Sequence, residues 1–267
     1  MAVVSNCIAE WAGRQPDKLA VVSVGGESLT YSQLYELSQC IAANLSQHLI
    51  GLSKSRWIAH DQPPIMLLSA DDPISVATVI ACNFLGLTVV PMNPAIGTQA
   101  LKAAREAINA SLILYSSQCR RASLEMKTTQ CDTVDICTLT GYQEVPLHPI
   151  KSEPQYTFLL SLSSGSTGDP KPVSYTDSGK LQRAQSTAAE FSFNQHDIIL
   201  CASPFYHSLG QRLTFMPLVL GATMVQLPRF SVTAWLDAVA QQRVSVTICV
   251  SSHLFALKQF LINKDPR

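Results

Sequence analysis

Charge is scarce in this chain. Only 14% of its 267 residues are Asp, Glu, Lys or Arg, and 19 acids balance 19 bases to a net charge of +0. A typical globular chain carries ~25% charged residues. General nucleic-acid binding needs a clustered basic excess, so no nucleic-acid partner is expected. Metal-site spacing is missing too. The eight cysteines (7, 40, 82, 119, 131, 137, 201 and 249) form no CxxC, and there is no HExxH or zinc-finger pairing. No side-chain metal site is expected, and scattered free thiols fit a reduced intracellular compartment. Long apolar runs are also absent. The greasiest stretch, 76–92, is broken by Asn83, Gly86 and Pro91, whereas a spanning helix needs ~20 apolar residues. No membrane span is expected. The first residues have no basic n-region and carry Glu10, and Lys264-Asp265-Pro266-Arg267 matches no peroxisomal or reticular address. The expected location is therefore the cytoplasm.

What is abundant is apolar: 47% of residues, with a mean hydropathy of +0.16. A chain of this length buries roughly 70–75% of its unfolded surface and needs no staple to fold. It makes one large domain or two modest ones. Helical and strand patterns alternate. Val4, Ile8 and Trp11 share a helical face. Residues 19–24 read as a strand, with a turn at Gly25-Gly26. Thr30 and Gln33 have capping-box spacing, and Leu34, Leu37, Ile41 and Leu45 continue one face. Further strands are expected at 65–69, 87–90, 112–115, 156–161, 198–202, 222–226 and 244–249. Helices are expected from Pro73 to about 86 and at 98–109, 176–190, 208–220, 232–242 and 252–262. Residues 117–154 are more polar, with one possible strand at 134–139, and read as a connector. The expected division is 1–154 and 155–267. The repeated alternation predicts an α/β fold of parallel sheets with flanking helices.

One segment carries chemistry: Leu160-Ser161-Leu162-Ser163-Ser164-Gly165-Ser166-Thr167-Gly168-Asp169-Pro170-Lys171. A strand enters a loop of glycines and hydroxyl residues that a lysine closes. Glycines let successive N–H groups turn inward as an anion nest. Ser163, Ser166 and Thr167 add hydroxyl donors, and Lys171 adds a point charge suited to phosphate. A bare GSTG is an ordinary surface loop. The full string after a buried strand predicts a pyrophosphate or triphosphate cradle. It is not a Walker A loop, since no Ser or Thr follows the lysine, nor is it GxGxxG. Ser164 stands where a hydrolase elbow would need glycine.

SSGSTGDPK resembles the phosphate signature of the adenylate-forming enzymes: acyl- and aryl-CoA ligases, luciferases and adenylation domains of nonribosomal peptide synthetases. Three further segments are similar to that family in the same order. They are Leu29-Thr30-Tyr31-Ser32-Gln33-Leu34, residues 85–94 (LGLTVVPMNP), and Pro204-Phe205-Tyr206-His207-Ser208-Leu209-Gly210, with Leu220-Gly221-Ala222-Thr223 after the last. The resemblance implies the N-terminal lobe of such an enzyme. It also implies activation of a carboxylic acid by ATP, with Mg²⁺ on the triphosphate, as acyl-AMP. Transfer to a coenzyme A or phosphopantetheine thiol would follow. Ser163, Ser164, Gly165, Ser166, Thr167, Gly168 and Lys171 would hold the phosphates. Phe205 and His207 would lie at the acyl pocket, His207 near the attacking carboxylate, although by residue type alone His207 is a structural histidine. Phe205, Phe215 and Met216 suggest an apolar or aromatic acid. Pro172 replaces the family's usual glycine. This PKP form is similar to some fungal synthetase-like domains and hints at secondary metabolism. The adenine-binding YGxTE, the ribose-binding Asp and the C-terminal lysine of the family have no counterpart in the 267 residues. The 267-residue chain is therefore expected to fold but not to complete adenylation alone, and two alternatives to an active ligase stand beside it: a truncated, inactive relic of such an enzyme, or a non-catalytic lobe that acts only with a separate chain supplying the rest.

Overall fold

The computed structural model describes residues 3–52, 63–119, 131–141, 155–164 and 170–264. In chain order, helix α1 (Val3–Arg14) precedes the hairpin β1 (Leu19–Ser23) and β2 (Ser28–Thr30). Gly25 takes φ +77° in the turn, a conformation that favours glycine. The capping box then starts α2 (Tyr31–Leu52). The Thr30 N–H donates to Gln33 Oε1 at 2.9 Å, and the Gln33 N–H donates to Thr30 Oγ1 at 3.2 Å. After β3 (Ile65–Leu68), Asp72 caps α3 (Pro73–Phe84) by accepting the Ser75 N–H at 2.7 Å, with proline at the first helical position. β4 (Val89–Pro91), α4 (Thr98–Ile108), β5 (Leu112–Tyr115) and β6 (Asp132–Asp135) follow. The second part of the chain runs β7 (Thr157–Ser164), β8 (Pro170–Thr176), α5 (Asp177–Phe191), β9 (Ile198–Cys201), α6 (Ser208–Leu220), β10 (Thr223–Gln226), α7 (Val232–Gln241), β11 (Val246–Thr247) and α8 (Ser251–Lys264).

Two sheets result. One has the order β11-β9-β10-β1-β2 and the other β6-β5-β3-β4-β7-β8. All pairs are parallel except the hairpins β1–β2 and β7–β8. Strand alternation sorts the side chains into layers. Ile65, Leu67, Leu112 and Leu114 join the central core, as do Val21, Ile199 and Met224 of the other sheet. The intervening Met66, Leu68 and Ile113 pack outward on Leu101 and Ala104 of α4. Val22, Leu200 and Val225 pack outward on α7 around Ala238. The sheets thus enclose a middle layer built on α2, α3 and α6, with α4 and α7 outside. This is the α/β architecture that the alternation predicts.

Four details differ from the sequence expectations. The stretch 134–139 is strand only to Asp135, whose carboxylate accepts the Cys137 N–H at 3.0 Å and turns the chain into a 3-10 helix, Ile136–Leu139. Residues within the expected connector therefore supply a sheet strand. Residues 170–176 form β8 rather than a loop running to Thr176. Residues 244–249 contribute only the two-residue β11. Finally, each sheet takes strands from both sides of residue 154: β1 and β2 join β9–β11, and β7 joins β4.

A buried polar hub ties the two parts together. Asp177, at the start of α5, accepts N–H groups from Val3 and Val4 at the start of α1. Asn83 Nδ2 donates to Asp177 Oδ1 at 3.1 Å and to the Tyr156 hydroxyl at 2.7 Å. The carboxylate thus faces the positive end of α1. Burial pushes the Asp177 carboxyl up, and these hydrogen bonds pull it partly back.

Candidate functional site

The β7–β8 hairpin presents the phosphate-type segment. Its strands pair antiparallel, with Leu162 opposite Pro172, Ser163 opposite Lys171 and Ser164 opposite Pro170. Residues 165–169 are the connection. Ser163, Ser164 and Lys171 therefore flank the tip on paired strands, whereas the predicted Gly165, Ser166, Thr167 and Gly168 lie outside the described residues. β8 is the sheet edge, where a strand tolerates proline because it has only one ladder to keep. Pro170 and Pro172 alternate along it, so Pro172 is a strand residue.

The β9–α6 junction carries the predicted acyl-pocket residues. Gly210 explains its first turn: a Cβ there would sit 2.1 Å from the Pro204 carbonyl oxygen, so only glycine lets α6 begin this close to the loop. His207 is the residue before α6 and is exposed, with its ring 4.4 Å from that of Tyr206. Phe205 is half-buried, edge-on to Phe215 at 5.8 Å. Its N–H donates to Asp71 Oδ1 at 2.9 Å, joining this loop to the one after β3. Burial pushes the Asp71 carboxyl up to about 6, against the pull of that hydrogen bond. Asp71, Phe205 and Gln226 line a space of about 190 Å³.

A larger cleft, about 320 Å³, opens between α5 and α6 beside β8. Phe215 and Met216, both predicted pocket residues, form an apolar wall with Ala184. Lys180, Arg183 and Arg212 line the same cleft. Lys180 is buried, and its Nζ donates to Gln211 Oε1 at 2.7 Å and lies 3.9 Å from the centroid of the Tyr175 ring. Gln211 Nε2 in turn donates to Ser161 Oγ of β7 at 3.1 Å. Burial, reinforced by Arg183, brings the Lys180 amine down to about 7. Ser208, next to His207, borders this cleft; Phe205 borders the smaller space and His207 neither.

Sequence reasoning did not single out Asp71, Lys180 or Gln211. For Lys180 a signal existed. Asp177, Lys180, Ala184, Thr187 and Ala188 are the buried positions of α5, so the lysine occupies the helix's inward stripe. Asp71 was masked by Asp72-Pro73, which carries the helix-start signal. Among the described residues, no group of three His, Cys, Asp or Glu is placed to hold a metal. None of the described helices is long and apolar enough to cross a membrane.

The fold is α/β with two mainly parallel sheets, and the sequence joining β7 to β8 is rich in glycine and hydroxyl residues. The AMP-binding enzyme family model matches residues 8–266, and the chain belongs to that family. It is similar to the 2-succinylbenzoate–CoA ligase of Bacillus velezensis, 27% identical over 253 residues, covering 94% of this chain and 50% of the relative. It is also similar to the D-alanine–D-alanyl carrier protein ligase of Bacillus mycoides, 26% identical over 223 residues, covering 81% of this chain and 41% of the relative. Among solved structures, O-succinylbenzoate coenzyme A synthetase from Bacillus subtilis, in complex with ATP and magnesium ion, shares the fold. Its TM-score is 0.80 at 23% identity, covering 95% of this chain and 65% of that one. The chain spans about half the length of the curated relatives it matches.

Proposed function

We propose that this chain supplies the phosphate-binding and acid-binding part of an enzyme that activates a carboxylic acid with ATP, in secondary, fatty or aryl acid metabolism. In the first step a carboxylate oxygen bonds to the α-phosphorus and the bond to pyrophosphate breaks, giving acyl-AMP. In the second, a coenzyme A or phosphopantetheine thiolate attacks the acyl carbon and AMP leaves. The similarity to a CoA ligase and a carrier-protein ligase supports both acceptors.

The β7–β8 hairpin carries this proposal. Pairing of Ser164 with Pro170 brackets the short connection 165–169, whose residues are Gly, Ser, Thr, Gly and Asp. Those residue types fit a nucleotide's phosphates, because backbone N–H groups and hydroxyls donate to phosphate oxygens. Ser163, Ser164, Gly165, Ser166, Thr167, Gly168 and Lys171 would hold the phosphate chain. A magnesium ion would ride on the phosphate oxygens, which is its usual mode of binding. Phe205 and His207 would border the acid. ATP supplies the leaving pyrophosphate; what the chain adds is positioning, which is worth roughly 7–11 kcal/mol of barrier when complete.

A second reading is that the chain works only beside a further protein segment. It draws on α8, where Leu254, Phe255 and Leu261 are 56%, 64% and 62% exposed.

The test is competition calorimetry. Mg-ATP should bind, and inorganic pyrophosphate should displace it more effectively than adenosine does. No ATP binding, or displacement by adenosine but not by pyrophosphate, overturns the proposal.

A further inference from the structure

Lys180 of α5 is an amine that the carboxylate-activation reading does not use. It is 8% exposed. The groups around its Nζ, Tyr175 and Gln211, line the α5–α6 cleft with it, so the amine sits at that cleft. The cleft opens to solvent, and the room it offers a water-sized group is about 20 Å³. One water needs roughly 10–15 Å³, so a group of a few atoms fits and a ring does not.

A buried ammonium is costly unless it is paired. Among the described residues no carboxylate pairs with Lys180; the described ion pair, Arg14–Glu10, is elsewhere. The cleft lining holds two more cations, Arg183 and Arg212, and no acid. The free-base amine is therefore within reach near neutral pH. Gln211 Oε1 accepts one of its N–H groups at 2.7 Å, while Gln211 Nε2 is committed to Ser161 Oγ. The amide thus fixes the nitrogen without occupying its lone pair. A desolvated lysine of this kind is a nucleophile, and two neighbouring guanidinium groups favour a product that is an anion.

We propose that Lys180 is a carbamylation site, at which the amine adds carbon dioxide and Arg183 and Arg212 hold the resulting carbamate. The Nζ lone pair forms the N–C bond, and one C=O bonding pair moves onto an oxygen. One N–H proton leaves to solvent. The product is Lys–NH–COO⁻, and no oxidant, reductant or metal enters the balance. The carbamate adds three heavy atoms, which suits the room available. Its planar carboxylate matches the guanidinium fork. The assignment does not depend on the acid-activation reading.

The groups facing Lys180 are Tyr175 of β8, Arg183 of α5 and Gln211 and Arg212 of α6, with Ser161 of β7 behind Gln211. None is an acid or a histidine. Asp177, earlier on α5, is engaged with the Val3 and Val4 N–H groups of α1. Since addition consumes the free base and releases a proton, occupancy at a fixed carbon dioxide pressure rises with pH.

The experiment equilibrates the chain with ¹³C-labelled carbon dioxide at one fixed pressure, at about pH 6 and about pH 7.5. Carbon NMR detects carbamates, and trapping with a trialkyloxonium salt followed by peptide mass spectrometry locates them. At pH 7.5 Lys180 should be modified at least tenfold more than the exposed Lys258 of α8, and its occupancy should fall at least fivefold at pH 6. Lys180→Met should remove the main carbamate signal. Arg212→Gln keeps the amine, should lower Lys180 occupancy at least threefold, and serves if Lys180→Met does not fold. An unmodified Lys180, or occupancy no higher than that of Lys258, overturns the proposal. So does a folded Arg212→Gln protein with undiminished occupancy, because the cleft's cations would then not hold the carbamate.

Discussion

The N–H of Phe205 donates to Asp71 Oδ1 at 2.9 Å, so a residue after β3 of one sheet fixes a residue after β9 of the other. Both lie past the C-terminal ends of parallel strands, where ligands of α/β folds collect. The bond sets the path of the loop that leads into His207 and α6. It also places a carboxyl where burial raises it to about 6.

That shift predicts a pH dependence. In the folded chain Asp71 keeps its proton up to about pH 6, and in the unfolded chain only to the ordinary value of 3.8. Between these values the folded state binds more protons, so stability falls as pH rises. Above pH 6 the contribution is flat. Urea midpoints at pH 4, 5, 6 and 7 should show this decline in wild type and a weaker one in Asp71→Asn, which keeps an acceptor oxygen. Identical slopes for the two proteins would contradict it.

Two glycines should respond oppositely to alanine. Gly210→Ala forces a Cβ into the Pro204 carbonyl, so it should destabilise by about 1–3 kcal/mol or more. Gly13→Ala meets nothing within 4 Å in helix α1 and should stabilise by roughly 0.5–1 kcal/mol. Chemical denaturation of both variants measures this. A neutral Gly210→Ala would mean that α6 does not start this close to residue 204.

The sequence was most readable where structure is local. The Thr30–Gln33 box needs only four residues, and both of its bonds form. The LTYSQL resemblance also gains a physical cause, since the Tyr31 hydroxyl is buried and donates to the Ala222 carbonyl at 2.7 Å, inside the other recognised turn. Burial raises that phenol far above its ordinary value. β8 was not readable, because Pro170, Pro172 and Ser174 suggest a loop. What makes them a strand is the ladder with β7, and the edge position makes the prolines tolerable. Of the candidate site, sequence reasoning singled out the segment 160–171 and the residues Phe215 and Met216, which line the α5–α6 cleft. Lys180, Gln211 and Asp71 were not singled out, because their roles depend on partners 31, 50 and 134 residues away.

Asp177 should be a stability residue with no part in binding. Asp177→Ala leaves the Val3 and Val4 N–H groups and Asn83 Nδ2 without this acceptor. A loss of about 1–3 kcal/mol is expected by urea denaturation, with pyrophosphate affinity unchanged at temperatures where the variant is folded. A fully stable Asp177→Ala protein would contradict the hub.

The central claim is that the β7–β8 hairpin holds phosphates, and Lys171 tests it most directly. Pyrophosphate and Mg-ATP are titrated by calorimetry into wild type and Lys171→Ala, with folding checked by circular dichroism. Losing one charge-assisted contact should weaken both ligands by about 1.5–3 kcal/mol, roughly 10- to 100-fold. Equal affinities in the two folded proteins would contradict the assignment of this hairpin to the nucleotide.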